Sequence, residues 1–319
     1  MSYWQKGEYM STIENKELFE QYYQSEYDFN TMSLDRNEIT EIKKFAREKR
    51  TDYGLAPMGT GVFDWILQQG EDIRFEKIKF DSDKIDGMLY IPTTGKERAY
   101  IILNANKPLI NQIFAAAHEY YHYAKDYQEF KGKPYICDFT ALKNVNEMRA
   151  SRFAAELLLP ENALKDYVEN SLNQDVATFK NLDFDKTAAV IMLITIKYQI
   201  PLKAVIYRLY EEHYIDCIDD YIDNYDFIKR VLQNIEIFKK QVDELYGTEN
   251  KYVIPYSSTY SDMEKAFLTG NASKEEILKD AEKLGLDINL IEDFLIQGDA
   301  EAEDEEDDIL FSEINIEQG

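Results

Sequence analysis

Between Phe114 and Asp126 the chain reads Phe-Ala-Ala-Ala-His-Glu-Tyr-Tyr-His-Tyr-Ala-Lys-Asp, which sets His118, Glu119 and His122 in the order His-Glu-x-x-His. On a helix, at about 100° per residue, positions 118 and 122 return to nearly the same face, so both imidazoles can grip one metal ion. Glu119 is offset by one residue. It can therefore stand beside the metal without ligating it, where a carboxylate takes a proton from metal-activated water. The chain spends two of its 3 histidines here, so a chance occurrence is rare. A helix that merely carries two satisfied histidines is the plainer alternative, and the mechanism supported by the spacing weighs against it.

A catalytic zinc site usually takes three protein ligands and keeps a fourth position open, so two histidines are one ligand short. Glu147 is the preferred third ligand. The 24 residues between it and His122 are enough for a loop or strand to return a second helix against the first. Small residues on both sides, Ala115 to Ala117 and then Ala150, Ser151 and Ala154, permit that approach. By ligand chemistry Asp126, Asp138 and Cys137 remain rivals. The oxyanion of a hydrolytic step needs a donor besides the metal, and His213, Tyr120, Tyr121 and Tyr123 are available.

The elements that must position these residues follow from periodicity. Residues 1–30 are polar and aromatic and read as an N-terminal extension. Ser33 is placed to cap a helix from about Leu34 to Arg50 whose stripe is Ile39, Ile42, Phe45 and Ala46. A short helix at Val62 to Gln69 ends at Gly70, and strands follow at Ile73 to Phe80, Met88 to Ile91 and Ala99 to Leu103. Pro108 helps start the His118 helix. A helix from Ala141 to Leu159 is closed by Pro160, with Phe153, Leu157 and Leu158 on its core stripe. Helices at Asp185 to Lys197 and Pro201 to Tyr210 complete residues 31–215 as one α+β domain: a small sheet placed just before a metal-binding helix pair.

Past Asp216 the pattern turns to charged, amphipathic helices, at about Tyr221 to Tyr246, Ser261 to Thr269 and Ser273 to Leu284, the last with a Ser273–Glu276 capping box. Residues 216–298 are expected to be an appended helical region. Residues 299–319 begin with an almost wholly acidic run and are expected to be disordered, with Ile309-Leu310-Phe311 a short docking segment.

Composition excludes several classes. The 319 residues are 45% hydrophobic, with 24 Tyr and 17 Phe, which is ample for a core. A net charge of −25 without a basic patch argues against binding nucleic acid directly, including through Lys197 to Tyr210. Two cysteines, no apolar leader and no bilayer-length apolar stretch indicate a cytoplasmic chain without disulfides or membrane attachment.

The His118-Glu119-Tyr120-Tyr121-His122 segment and the later Glu147-Met-Arg-Ala-Ser-Arg-Phe-Ala-Ala-Glu-Leu-Leu-Leu-Pro160 segment together resemble the ImmA/IrrE family of zinc metallopeptidases. That family follows its His-Glu-x-x-His helix with Glu-x-x-Ala-x-x-Phe-Ala-x-x-Leu-Leu-x-Pro. Ala99 to Asn104 and Tyr198 to Leu209 are similar to its preceding strand and closing helical segment, so the resemblance covers about residues 34–215. It implies a zincin-like core, Zn²⁺ held by His118, His122 and Glu147, and Glu119 as general base for peptide hydrolysis. It also implies a protein substrate: a helix-turn-helix repressor of a mobile element or stress regulon, cut at a specific site. The alternative is a regulatory module that sequesters the repressor without cutting it, and the intact Glu119 weighs against that. Two departures stand out. Tyr121 replaces a common glycine, and Arg149-Ala150-Ser151 replaces an acidic residue followed by Ala-Asn.

Overall fold

The computed structural model describes residues 34–70, 73–78, 85–92, 99–130, 145–173, 175–247 and 258–284, with 291 and 295. The N-terminal extension, Ser33, Asp138, Cys137, Ile309-Leu310-Phe311 and the whole of the acidic tail lie outside the described residues. Helices α1 (Arg36–Lys49) and α2 (Gly61–Gln68) precede strands β1 (Ile73–Ile78), β2 (Gly87–Tyr90) and β3 (Ala99–Asn104). Then come α3 (Leu109–Lys125), α4 (Tyr127–Phe130), α5 (Val145–Leu158), α6 (Glu161–Asp166), α7 (Val176–Lys180), α8 (Phe184–Tyr198) and α9 (Leu202–Glu211). This is an α+β architecture, mostly helical around one small mixed sheet.

The sheet has the order β1-β3-β2, with β1 parallel and β2 antiparallel to the central β3. Its two faces follow the strand period of two. Ile73, Phe75, Leu89, Ala99, Ile101 and Leu103 enter the main core, while Met88 and Ile102 turn to the other face with Ile85. The metal-motif helix α3 lies on the core face. At Gly87 a Cβ would come within 3.2 Å of the Ala115 Cβ and of the Ile102 carbonyl oxygen, so a side chain here would push α3 and β2 apart by a few tenths of an ångström.

Helix α1 starts at Asp35, whose carboxylate accepts from the backbone N–H groups of Asn37 and Glu38 at 2.7 and 2.9 Å. The Glu38 carboxylate in turn accepts from the Asp35 N–H at 2.8 Å, so the capping box begins two residues beyond Ser33. The buried residues of α1, Ile42 and Ala46, join the same core as α3 and α5. At the C-terminal end of α5 the structure buries charge. Arg152 and Arg208 are 1% and 0% exposed. Arg208 pairs with Glu156 at 2.9 Å, Glu212 at 2.8 Å and Glu211 at 3.1 Å, and its Nε–H donates to the Leu159 carbonyl at 3.2 Å. Arg152 pairs with Glu156, Glu211 and Glu212, and Lys43 of α1 reaches Glu212 at 2.8 Å. The network ties α5 to α9 and α1.

The expected long helix from Tyr221 to Tyr246 is instead broken into α10 (Asp219–Asp223), α11 (Tyr225–Gln233), a 3₁₀ turn at Glu236–Phe238 and α12 (Lys239–Tyr246). Asn224 and Asn234 stand at the breaks. Their side-chain amides donate to the carbonyls of Asp220 and Arg230, each at 2.7 Å, offering the backbone an alternative to continued helix. Ile228, Leu232, Val242 and Leu245 belong to the main core, so the core continues past residue 215. Helices α13 (Ser258–Leu268) and α14 (Lys274–Leu284) contribute Met263, Ile277 and Ala281 to a separate cluster with Ile291 and Leu295. The Ser273 hydroxyl accepts from the Glu276 N–H at 3.3 Å, and Glu276 accepts from the Ser273 N–H at 3.0 Å. No single described helix is long and apolar enough to cross a membrane.

Candidate metal centre

Two helices bring three ligand atoms together. His118 and His122 project from one face of α3, and Glu147 lies in the first turn of α5, where the helix dipole favours a carboxylate. All three are buried, at 2%, 0% and 3% exposure. The His118 Nε2 is 3.0 Å from Glu147 Oε2, the His122 Nε2 is 3.2 Å from Glu147 Oε1, and the two Nε2 atoms are 3.2 Å apart. Ligands bonded tetrahedrally at about 2.0–2.1 Å are separated by roughly 3.3 Å. The triad matches that triangle, so the residues present fit a metal ion, and His118, His122 and Glu147 form a buried group that can hold one.

The electrostatics point the same way. Burial opposes ionisation of Glu147, but the facing His122 charge and hydrogen bonds from both imidazoles outweigh it and hold the carboxyl well below its ordinary range. Burial likewise opposes protonation of His122. There Glu147 and the Asp126 carboxylate outweigh it, and the group is pushed up to about 10 in the metal-free site. His118, with burial dominant, is lowered. In the metal-free site the two carboxylates thus favour the charged form of His122. Glu119 is 2% exposed, and its Oε2 has no hydrogen-bond partner among the described residues. Burial pushes its carboxyl up to about 8. A buried polar atom left unpartnered is costly, and beside a group that can hold a metal a catalytic role accounts for it.

The IrrE N-terminal-like domain model of the Peptidase_M78 family matches residues 68–210. That segment is an IrrE N-terminal-like domain. A comparison with curated proteins finds no match to the chain. The IrrE N-terminal-like domain runs from the last residue of α2 through nearly all of α9 and contains His118, Glu119, His122 and Glu147. Its family is one of peptidase-type hydrolases, and the fold is metallopeptidase-like. Helix α1 lies before the matched segment, yet it packs along α5 and pairs Glu38 with Arg149.

The other candidates fall in different places. Asp126 faces the centre from outside: its Oδ2 is 2.7 Å from His122 Nδ1, the ring nitrogen turned away from Glu147. One helical turn after His122, it reaches the back of that ring. Tyr121 is 7% exposed and packs its ring 5.4 Å from Phe153 and 6.4 Å from Phe45. The large phenol in place of the family's glycine thus fills the seam between α1, α3 and α5. Tyr120 is packed against Trp65 at 4.9 Å, and Tyr123 lies half-buried beside Tyr127.

His213 is exposed and has φ of 62°, the left-handed residue that ends α9. Its N–H donates to the Tyr210 carbonyl at 3.0 Å and that of Tyr214 to Leu209 at 2.8 Å, which is a Schellman cap. Its place is the terminus of a helix, not the buried triad.

In the sequence Ser151 reads only as a small residue allowing close packing. Its Oγ is 3.3 Å from His118 Nδ1. Both Asp126 and Ser151 lie four residues beyond a member of the triad, His122 and Glu147, and this helical spacing is the signal that could have found them.

Proposed function

We propose that this chain is a zinc-dependent metalloendopeptidase that cuts a regulatory protein, a helix-turn-helix repressor, at a specific site in the cytoplasm. The observation that carries the reading is the buried Glu119 Oε2, without a hydrogen-bond partner among the described residues, on the helix that carries both histidines of the convergent His-His-Glu donor set. His118, His122 and Glu147 would hold the zinc, and such a site suits zinc because its ligands are nitrogen and oxygen donors of the kind catalytic zinc takes. Zinc, when bound, supplies Lewis acidity toward water and the scissile carbonyl.

The chain's own residues do the rest. Glu119 takes one proton from the attacking water as its oxygen bonds to the carbonyl carbon. The same carboxyl then gives that proton to the amine nitrogen as the C–N bond breaks. The chain's charge of −25 favours encounter with a basic DNA-binding partner. The free, exposed thiol of Cys217 is consistent with a cytoplasmic setting.

The test is Glu119→Gln, which keeps size and removes the base. Zinc content and fold should persist while cleavage of the repressor falls by roughly 10² or more. Wild-type cleavage by that variant would overturn the hydrolytic role. Zinc-loaded wild type that relieves repression without cutting the repressor would replace this reading with sequestration.

A further inference from the structure

Both imidazoles of the triad are held from behind, and unequally. With a metal held by the Nε2 atoms that face Glu147, each Nδ1 would be the nitrogen left to carry the ring proton. At His122 that N–H meets a carboxylate, Asp126 Oδ2, at 2.7 Å. At His118 it meets a neutral hydroxyl, Ser151 Oγ, at the longer distance of 3.3 Å. A charge-assisted hydrogen bond is roughly twice as strong as a neutral one. A carboxylate behind a ligating imidazole also fixes the tautomer, orients the ring and raises its basicity.

The setting makes these contacts rigid. His122 is 0% exposed, and Asp126 ends α3 as its C-cap with its N–H donating to the His122 carbonyl at 2.8 Å. Ser151, 1% exposed, is carried by α5 one turn after Glu147, so the helix that delivers the third donor also delivers the brace for the first histidine. Asp126 therefore has two attachments to one residue, through its backbone and through its side chain. Ser151 has one, from a neighbouring helix.

We propose that Asp126 and Ser151 are positioning residues of the metal centre, and that Asp126 makes His122 the stronger of the two imidazole donors. The inference rests on the reading of the triad as a zinc site. It assigns Asp126 to the back of a ligand rather than to the metal. Removing Asp126 then loosens the ion without changing its ligands, and removing Ser151 does so less.

The test measures zinc affinity of the full chain by competition with a chromophoric chelator, together with X-ray absorption of the bound zinc. Asp126→Ala should weaken zinc by about 10- to 100-fold, the range for losing such a partner. Asp126→Asn, which keeps shape and an acceptor oxygen, should recover part of that loss, and Ser151→Ala should cost less than Asp126→Ala. The absorption spectrum of Asp126→Asn should show the wild-type set of two imidazoles and a carboxylate.

Should Asp126→Ala fail to fold, the Asn variant still decides. Wild-type affinity in both Asp126 variants that fold, or a lost carboxylate in the Asn spectrum, overturns the inference while leaving the zinc centre standing. Wild type that takes up no zinc overturns the zinc reading itself, and the inference with it.

Discussion

The two ends of α5 bury charge in opposite ways. Toward its C-terminus, Arg152 and Arg208 meet Glu156, Glu211 and Glu212, with Lys43 added from α1. Those cations are permanent, because a guanidinium does not give up its proton in a protein. At the N-terminus, Glu147 meets two imidazoles instead. Imidazole can hold a proton or release it, so the positive charge facing Glu147 is exchangeable. The first arrangement locks helices together. The second keeps a place where a metal ion can take over from a proton, beside a glutamate oxygen that has no hydrogen-bond partner among the described residues.

That contrast can be broken most forcefully at the permanent end. Arg208→Ala leaves Glu156 and Glu212 buried with less compensation, and unfolding by urea should show a loss of about 3–5 kcal/mol. Zinc stoichiometry of the remaining folded protein should be unchanged. Arg208→Met, which fills the space without charge, should cost less; an equal loss would mean that charge, not volume, is what the position supplies. At the exchangeable end, stripping zinc with a chelator should lower stability by about 2.7 kcal/mol relative to protein at a free zinc concentration of 100 times Kd. Glu147→Ala should bind zinc poorly and show little of that difference, and a full zinc response in this variant would remove Glu147 from the ligand set.

The smallest expected effect sharpens the boundary of the site. Because the Tyr121 ring packs on Phe153 and Phe45, Tyr121→Phe should leave turnover within about 3-fold, whereas losing an oxyanion donor costs roughly 10²–10³. A drop on that larger scale would bring the Tyr121 hydroxyl into the reaction.

The legible parts were those written in local periodicity. His118 and His122 announce themselves by a four-residue spacing, and the strands at Ile73, Gly87 and Ala99 by alternation and flanking turn residues. Asp126 and Ser151 carried the same four-residue signal, but an aspartate or serine at that spacing is common on helices and stands out only once its ligand is known. Charge pattern was the weaker guide. It set a boundary near Asp216, whereas Ile228, Leu232, Val242 and Leu245 enter the main core from helices whose outer faces are charged. It also gave no warning that Arg152 and Arg208 would be buried, since an arginine reads as surface until its glutamate partners from α5 and the end of α9 are brought together.

The sequence by itself determined the identity and helical phase of His118, Glu119 and His122, because one α-helix carries all three and its geometry is the same wherever it packs. Only the tertiary structure decided the rest of the centre. In the sequence Glu147 is preferred over the rivals Asp126, Asp138 and Cys137, and it is the packing of α5 along α3 that sets its oxygens 3.0 and 3.2 Å from the two imidazoles. Asp126, a rival ligand by chemistry, meets the ring nitrogen that faces away from that carboxylate. Which oxygen faces a metal and which braces the ring behind it depends on the approach of helices distant in sequence, and local spacing carries no information about that approach.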